Sequence, residues 1–199
     1  MSRKSRSLPV SSKKPNSLRI IGGQWRGRKL LFPDLPGLRP TPDRVRETLF
    51  NWLTPIIHDA RCLDLFTGSG ALSLEALSRG ASHATLIDQA SKAISQLQLH
   101  LATLNCQSAQ LVQANTLEWL TRISTNQVEP YDIIFIDPPF HQNLVELSCA
   151  AIAEKNLLRP KAMVYIEIEA TTPLAIPSSW SVFRQIKAGQ VTGYLCTNT

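Results

Sequence analysis

The sequence predicts an α/β protein in which a mostly parallel, doubly wound sheet of seven strands ends in an antiparallel C-terminal hairpin, preceded by a small β-hairpin and helix. Three observations carry this. From residue 61 onward, short apolar runs alternate with amphipathic segments of helical length. A glycine-rich turn, Thr67-Gly68-Ser69-Gly70, joins the first such run to the first helical pattern. After Pro177 the helical spacing stops, and two strand-like runs flank Ala188-Gly189.

Each element has its own reason. Residues 18–21 and 29–32 are short strand-like runs, and the intervening GGQWRGR has the glycines of a hairpin turn that presents Trp25, Arg26 and Arg28. Thr41 suits a helix N-cap, Pro42 the first helical position, and Asp43 the positive end of the helix dipole. That helix is expected to run to residue 53, with Val45, Leu49 and Leu53 as its core stripe and with Arg44 and Arg46 projecting elsewhere. Strands are expected at 62–66, 83–88, 110–113, 131–137 and 162–168, with helices at 71–78, 92–105, 117–123 and 143–156 between them. Strands 181–187 and 190–197 close the chain. The implied organisation is a basic disordered tail over 1–17, a hairpin and helix extension over 18–57, and the main domain over 58–199.

Charge is unevenly placed. Residues 1–50 hold twelve Lys/Arg against three Asp/Glu, or +9, whereas the remaining 149 hold nine against twelve, or −3. A basic N-terminal quarter on a mildly acidic body points to a polyanion-facing arm joined to a catalytic or binding domain. Arg39, Arg44 and Arg46 extend the basic face begun by Arg26 and Arg28, with Trp25 among them. The four cysteines and four histidines are scattered, with no paired metal or redox spacing, so no metal is expected. No apolar run reaches the length of a membrane span, and the basic N-terminus lacks the apolar stretch of a secretory signal. A cytoplasmic, monomeric protein is expected.

Two stretches carry chemistry. In the first, LDLFTGSGAL, Gly68 and Gly70 let the backbone turn sharply at the start of a helix, where free N–H groups await a ligand. Asp88, at the end of the second strand, can accept hydrogen bonds from both hydroxyls of a ribose. Ser73 stands where a dinucleotide fingerprint has its third glycine, and Asp64 would repel a pyrophosphate but meet an ammonium group, as S-adenosylmethionine has. Asn115 is either a partner for an adenine edge or a helix N-cap. The second stretch, Asp137-Pro138-Pro139-Phe140, ends an apolar strand on the edge where open α/β sheets bind ligands. Asp137 and a backbone carbonyl near Pro138 can accept the hydrogens of an aromatic amine and aim its lone pair. The prolines stiffen the backbone there, and Phe140 can stack on a splayed-out base. A carboxylate is acceptor-only, which leans towards guanine, whose edge presents N1–H and N2–H₂ side by side.

Taken together, residues 19–28 (RIIGGQWRGR), residues 39–53 (RPTPDRVRETLFNWL), the glycine turn and the D-P-P-F box resemble the bacterial 16S rRNA guanine-N2 methyltransferases of the RsmD type, over about residues 18–196. The resemblance implies a Rossmann-like class I methyltransferase fold, S-adenosylmethionine as donor and 16S rRNA of the small ribosomal subunit as partner. Carried over, Asp64, Gly68 and Gly70 would hold the methionine moiety, Asp88 the ribose and Asn115 the adenine, while Asp137, Pro138 and Phe140 would serve the target base. Many members have Glu at the ribose position, where this chain has the shorter Asp88. The rival readings are an adenine-N6 methyltransferase on DNA or RNA and a non-catalytic RNA-binding ribosome-assembly factor.

Overall fold

The computed structural model describes residues 16–32, 41–124, 128–140 and 143–198. Most of the tail expected over 1–17 lies outside them, as does Arg39.

A two-stranded antiparallel sheet, β1 (Asn16–Arg19) and β2 (Lys29–Phe32), opens the described chain. Helix α1 (Asp43–Leu53) follows. The main sheet then builds from β3 (Arg61–Asp64), α2 (Ala71–Ser78), β4 (His83–Asp88), α3 (Ser91–Thr103), β5 (Ala109–Gln113), α4 (Thr116–Arg122), β6 (Tyr131–Ile136), α5 (Leu144–Glu154), β7 (Leu158–Glu169), β8 (Trp180–Ala188) and β9 (Val191–Asn198). Its strand order is β5-β4-β3-β6-β7-β9-β8. The first five strands are parallel, and β9 enters antiparallel between β7 and β8.

Side chains alternate between the two faces of the sheet. Cys62, Ala84, Leu86, Ile133, Phe135, Tyr165 and Leu195 point to one side, where they pack with α1, α2, α3 and the N-terminal hairpin. Leu63, Ile87, Ile134, Ile136, Val164, Ile166 and Cys196 point to the other, against α4 and α5. The extension shares the first core: Leu18, Ile20, Trp25, Leu30 and Phe32 are buried with Leu49, Leu74 and Phe135.

Two expectations about the extension are corrected. Trp25 is buried rather than presented to a partner, and its backbone N–H donates to Ser78 Oγ at 3.0 Å. Its apolar area is worth more against α2 than in solvent. Arg46, expected to project outward, is only 1% exposed. Its Nε donates to the Thr41 carbonyl at 3.2 Å, and its Nη2 donates to the Arg19 carbonyl at 2.9 Å and to Asp43 Oδ1 at 2.6 Å. Nη1 faces the buried Glu75 carboxylate at 3.7 Å. Glu75 also accepts the backbone N–H groups of Ile21 and Gly22, both at 2.8 Å, and Arg79 Nε at 2.7 Å. One buried carboxylate thus clamps α1, α2 and the hairpin. Arg44, two positions from Arg46, is exposed.

Among the described residues no helix is long and apolar enough to cross a membrane, and no group of three or more His, Cys, Asp or Glu could hold a metal ion.

Removing one partner of a buried ion pair costs about 3–5 kcal/mol, whereas exposed substitutions change stability by about 0.5 kcal/mol or less. Glu75→Ala is therefore expected to lower the unfolding free energy by that larger amount and Arg44→Ala to leave it nearly unchanged. Urea denaturation of the two variants checks the contrast, and equal effects would contradict the clamp.

Candidate active site

The carboxyl ends of the parallel strands open into a cavity of about 620 Å³, within the range of small-molecule sites. Four carboxyl side chains reach it from four adjacent strands: Asp88 from β4, Asp64 from β3, Asp137 just past β6 and Glu167 from β7. The alternation of side chains puts all four on the α1–α3 face, because each lies an even number of residues from a neighbour buried there. Register sets their depth. Asp64 pairs with Leu86 and Phe135, each two residues before Asp88 and Asp137 respectively, so Asp64 sits one layer deeper and is 2% exposed. Ile136 pairs with Ile166, which brings Asp137 and Glu167 level.

Burial disfavours the ionised forms of three of them, Asp64, Asp137 and Glu167. Burial, with the charge of Asp88 adding to it, pushes the Asp64 carboxyl up to about 7 against the backbone hydrogen bonds from Phe66 and Ser73. Burial and then the carboxyls of Glu167 and Asp64 hold Asp137 well above the usual carboxylate range, with Thr41 opposing. Burial also raises Glu167, and hydrogen bonds from Tyr165 and Thr41 oppose it. Among the described residues, no ion pair involves any of the four. The site is set up for a ligand that brings positive charge.

The turn after β3 shapes the donor side. Gly68 lines the cavity with φ +53°, and its N–H donates to Asp88 Oδ2 at 2.9 Å. Asp88 Oδ1 accepts the Ala90 N–H at 2.8 Å. Asp88 therefore braces both loops and still has a lone pair on each oxygen for a ligand hydroxyl. Gly70 does something else. It caps α2 with φ +81° but does not line the cavity, and a Cβ there would meet Leu97 Cδ2 at 2.6 Å and Leu74 Cδ1 at 2.9 Å. Its expected place at a ligand is corrected to a packing and turn position beneath the site. For Asn115 the N-cap alternative holds: Oδ1 accepts from Leu117 and Glu118 N–H at 3.0 and 3.2 Å. The residue also lines the cavity, and its amide N–H₂ is not used by the cap.

On the acceptor side, Asp137, Pro138, Pro139 and Phe140 line the cavity, and Phe140 is 41% exposed at its mouth. Thr41, expected as a helix cap, makes no capping bond. Pro42 holds the N-cap position, and the buried Thr41 hydroxyl donates to Asp137 Oδ2 at 3.3 Å.

The basic candidates separate. Exposed Arg44 sits on the first turn of α1, between the cavity-lining Pro42 and Val45. Arg26 and Arg28 are exposed but lie by the C-terminal ends of α2 and α3, where Gln24 N–H bonds the Ser78 carbonyl and Arg28 Nη1 the Thr103 carbonyl. The eight residues of α2 separate that end from the cavity by about 12 Å.

Sequence reasoning missed Thr41 as a site residue, along with Glu167, Tyr165 and Gly193. A signal existed for one of them, since Glu167 interrupts the apolar run Val164-Tyr165-Ile166, a buried strand in which a charged side chain has no structural use. It also missed the exposed cations of β8, Arg184 and Lys187; Arg184 stacks 5.9 Å above the Trp52 ring.

A seven-stranded sheet with this strand order, a glycine turn after the first parallel strand and a D-P-P-F exit from the fourth defines a methyltransferase domain. The chain belongs to the family described as Conserved hypothetical protein 95, whose model matches residues 18–197. Ribosomal RNA small subunit methyltransferase D of Escherichia coli K12 is 50% identical over 185 residues, covering 90% of this chain and 91% of the relative. The protein of the same name from Haemophilus influenzae is 44% identical, covering 91% and 94%. Among solved structures, yhhF of Escherichia coli, provisionally described as a methyltransferase, superposes with a TM-score of 0.83 at 45% identity, covering 92% of this chain and 98% of that one.

The raised Asp64 has a measurable consequence. The native chain keeps a proton that the unfolded chain, with an ordinary carboxylate, gives up, so stability falls as pH rises from about 4 to about 7. Asp64→Asn removes that loss. It is expected to raise the thermal midpoint at pH 8 by at least about 2–4 °C, equivalent to about 1 kcal/mol, and to change it little at pH 4. Calorimetry at the two pH values checks this, and a midpoint lowered at both would contradict it.

Proposed function

We propose that this chain transfers the methyl group of S-adenosylmethionine to the exocyclic N2 of a guanine in 16S rRNA of the small ribosomal subunit. The observation that carries the reading is the juxtaposition, in one cavity, of an acidic row with a carboxyl followed by two prolines at its acceptor end. The names of its relatives support ribosomal RNA of the small subunit as the substrate.

The residues present fit this donor. Asp64, uncompensated and deep, suits the ammonium of the methionine moiety. Asp88, braced at Gly68 and Ala90, suits the ribose hydroxyls, and the Asn115 amide an adenine edge. When bound, S-adenosylmethionine supplies an electrophilic methyl group on a positively charged sulfur.

The chain's own part is alignment and proton acceptance. Aromatic amines are poor nucleophiles because their lone pair is delocalised into the ring. Asp137 accepts a hydrogen from the amine, which turns the lone pair towards the donor side of the cavity, and Pro138 and Pro139 hold that carboxyl in place. Once alkylated, the nitrogen is strongly acidic, so Asp137 needs only modest basicity to take its proton. Phe140, partly exposed at the mouth, offers a face for the extruded base. Arg44 beside the mouth, Arg26, Arg28 and Arg39 farther along the chain, and Arg184 and Lys187 on β8 would meet phosphates. On this reading the enzyme works in the cytoplasm as a monomer and needs no metal.

Incubation with labelled donor and undermethylated small subunits, followed by digestion to nucleosides, tests the proposal. The expected product is N2-methylguanosine. Asp137→Ala is expected to lower turnover by about 10²–10⁴-fold while leaving donor affinity within about threefold. Label on adenine N6, or equal turnover in the variant, would overturn it.

A further inference from the structure

Asp137 does not act alone in its pocket. Glu167 lies beside it on the adjacent parallel strand, on the same face, level with it by register and only 6% exposed. The Thr41 hydroxyl donates to Asp137 Oδ2 at 3.3 Å and lies near enough to the Glu167 carboxyl to favour its ionised form. On its other side Glu167 Oε2 accepts the Tyr165 hydroxyl at 2.9 Å.

A hydroxyl has one hydrogen to give. Between two ionised carboxylates, Thr41 could satisfy only one, leaving the other charge buried against it. Between one carboxylate and one carboxylic acid it satisfies both, donating to the first and accepting from the second. The surroundings agree. The titratable groups facing the pair are Asp64 from β3 and Tyr165 from β7. β9 opposes Glu167 with Gly193, and β8 offers Ile186 there. From the α1 side comes Thr41, with Arg46 turned away towards Glu75 and Arg44 exposed. Among the described residues, none of these groups supplies a cation to neutralise a second charge. Two carboxyls in such contact titrate as a unit.

We propose that Asp137, Thr41 and Glu167 form one hydrogen-bonded unit that carries a single proton and a single negative charge, with Glu167 as the positioning residue that holds the proton when the target amine docks. The inference rests on the methyl-transfer reading for its purpose and on the geometry of the unit for its existence. An amine donating to Asp137 favours the charge there, and the proton passes through Thr41 to Glu167. On transfer the new N–C bond forms as the S–C bond breaks, with its electron pair left on sulfur. The ammonium proton moves to Asp137, and the doubly protonated pair returns one proton to water after product leaves. Gly193 makes room for this unit, since a Cβ there would stand 2.4 Å from Tyr165 Oη.

Glu167→Gln imitates the protonated acid, because its amide can donate to Thr41 and its carbonyl can accept from Tyr165. Infrared pH titration of the ligand-free protein is the first measurement. The wild type is expected to show a protonated-carboxyl band at pH 7 that disappears in a later step than that of ordinary carboxylates. In Glu167→Gln the step assigned to the pair moves to lower pH by at least about one pH unit, the effect of removing a neighbouring like charge. In activity, Glu167→Gln should lose the alkaline limb of the pH profile, keep its acid limb close to that of the wild type, and lose less kcat than a variant that cannot bond Thr41. Glu167→Leu, neutral but unable to bond Thr41, should lose at least about 30-fold in kcat with donor KM little changed. A Glu167→Gln variant that keeps both limbs at wild-type positions, or that is as impaired as Glu167→Leu, overturns the inference. An infrared shift without any methyl transfer would leave the unit standing and remove the enzymatic reading instead.

Discussion

A row of carboxyls at the carboxyl edge of the sheet, Asp64 and Glu167 buried and Asp88 and Asp137 half-buried, is the constraint on which the rest of this molecule depends. Asp88, Asp64, Asp137 and Glu167 share one face because strand pairing and side-chain alternation leave them no other direction. Burial makes Asp64, Asp137 and Glu167 costly to ionise, and neighbouring carboxyls raise that cost for Asp64 and Asp137. A protein keeps such a feature only if something offsets it. Two kinds of group do so here: the backbone N–H and hydroxyl donors of Gly68, Ala90, Thr41 and Tyr165, and the positive charge of a methyl donor. The same row that destabilises the free chain makes the site selective for a cationic cofactor and hostile to a pyrophosphate.

The N-terminal extension belongs to this site as much as to any RNA surface. Glu75 ties the backbone of Ile21 and Gly22 and the guanidinium groups of Arg46 and Arg79 into one buried cluster. Arg46 in turn holds the Thr41 carbonyl, and the Thr41 hydroxyl touches Asp137. A chain of contacts therefore runs from the clamp under α1 to the cavity at the carboxyl edge of the sheet. Displacing the hairpin should disturb the Asp137 carboxyl, even though the hairpin's own turn lies at the far end of α2.

Periodicity made the architecture readable in advance. Apolar runs such as 131–136 have no amphipathic alternation because both faces are buried, and the order of runs and helices then implies a parallel sheet. Asp64, Gly68, Asp88, Asn115, Asp137 and Phe140 were legible because turns at the carboxyl ends of strands are where this architecture binds ligands, and the structure places all six on one cavity. What escaped is pairwise and distant. Arg44 and Arg46 are the same residue type in one basic block, and partners distant in sequence, the Arg19 carbonyl and the buried Glu75, meet only the one that faces inward. Trp25 among cations reads as an exposed platform, yet the apolar contact with α2 wins. Gly70 is needed for the space between Leu74 and Leu97, which no local pattern reveals. Glu167 carried a signal in its own strand, but its significance appears only once register sets it beside Asp137.

Proton release on donor binding tests the central claim most directly. Titration calorimetry at pH 6 in two buffers of different ionisation heat reports protons exchanged as S-adenosylmethionine binds. If its ammonium settles against Asp64, the carboxyl must ionise, and close to one proton per site should be released. Identical apparent enthalpies in the two buffers would mean that no buried acid answers the donor's charge, and the account would be wrong.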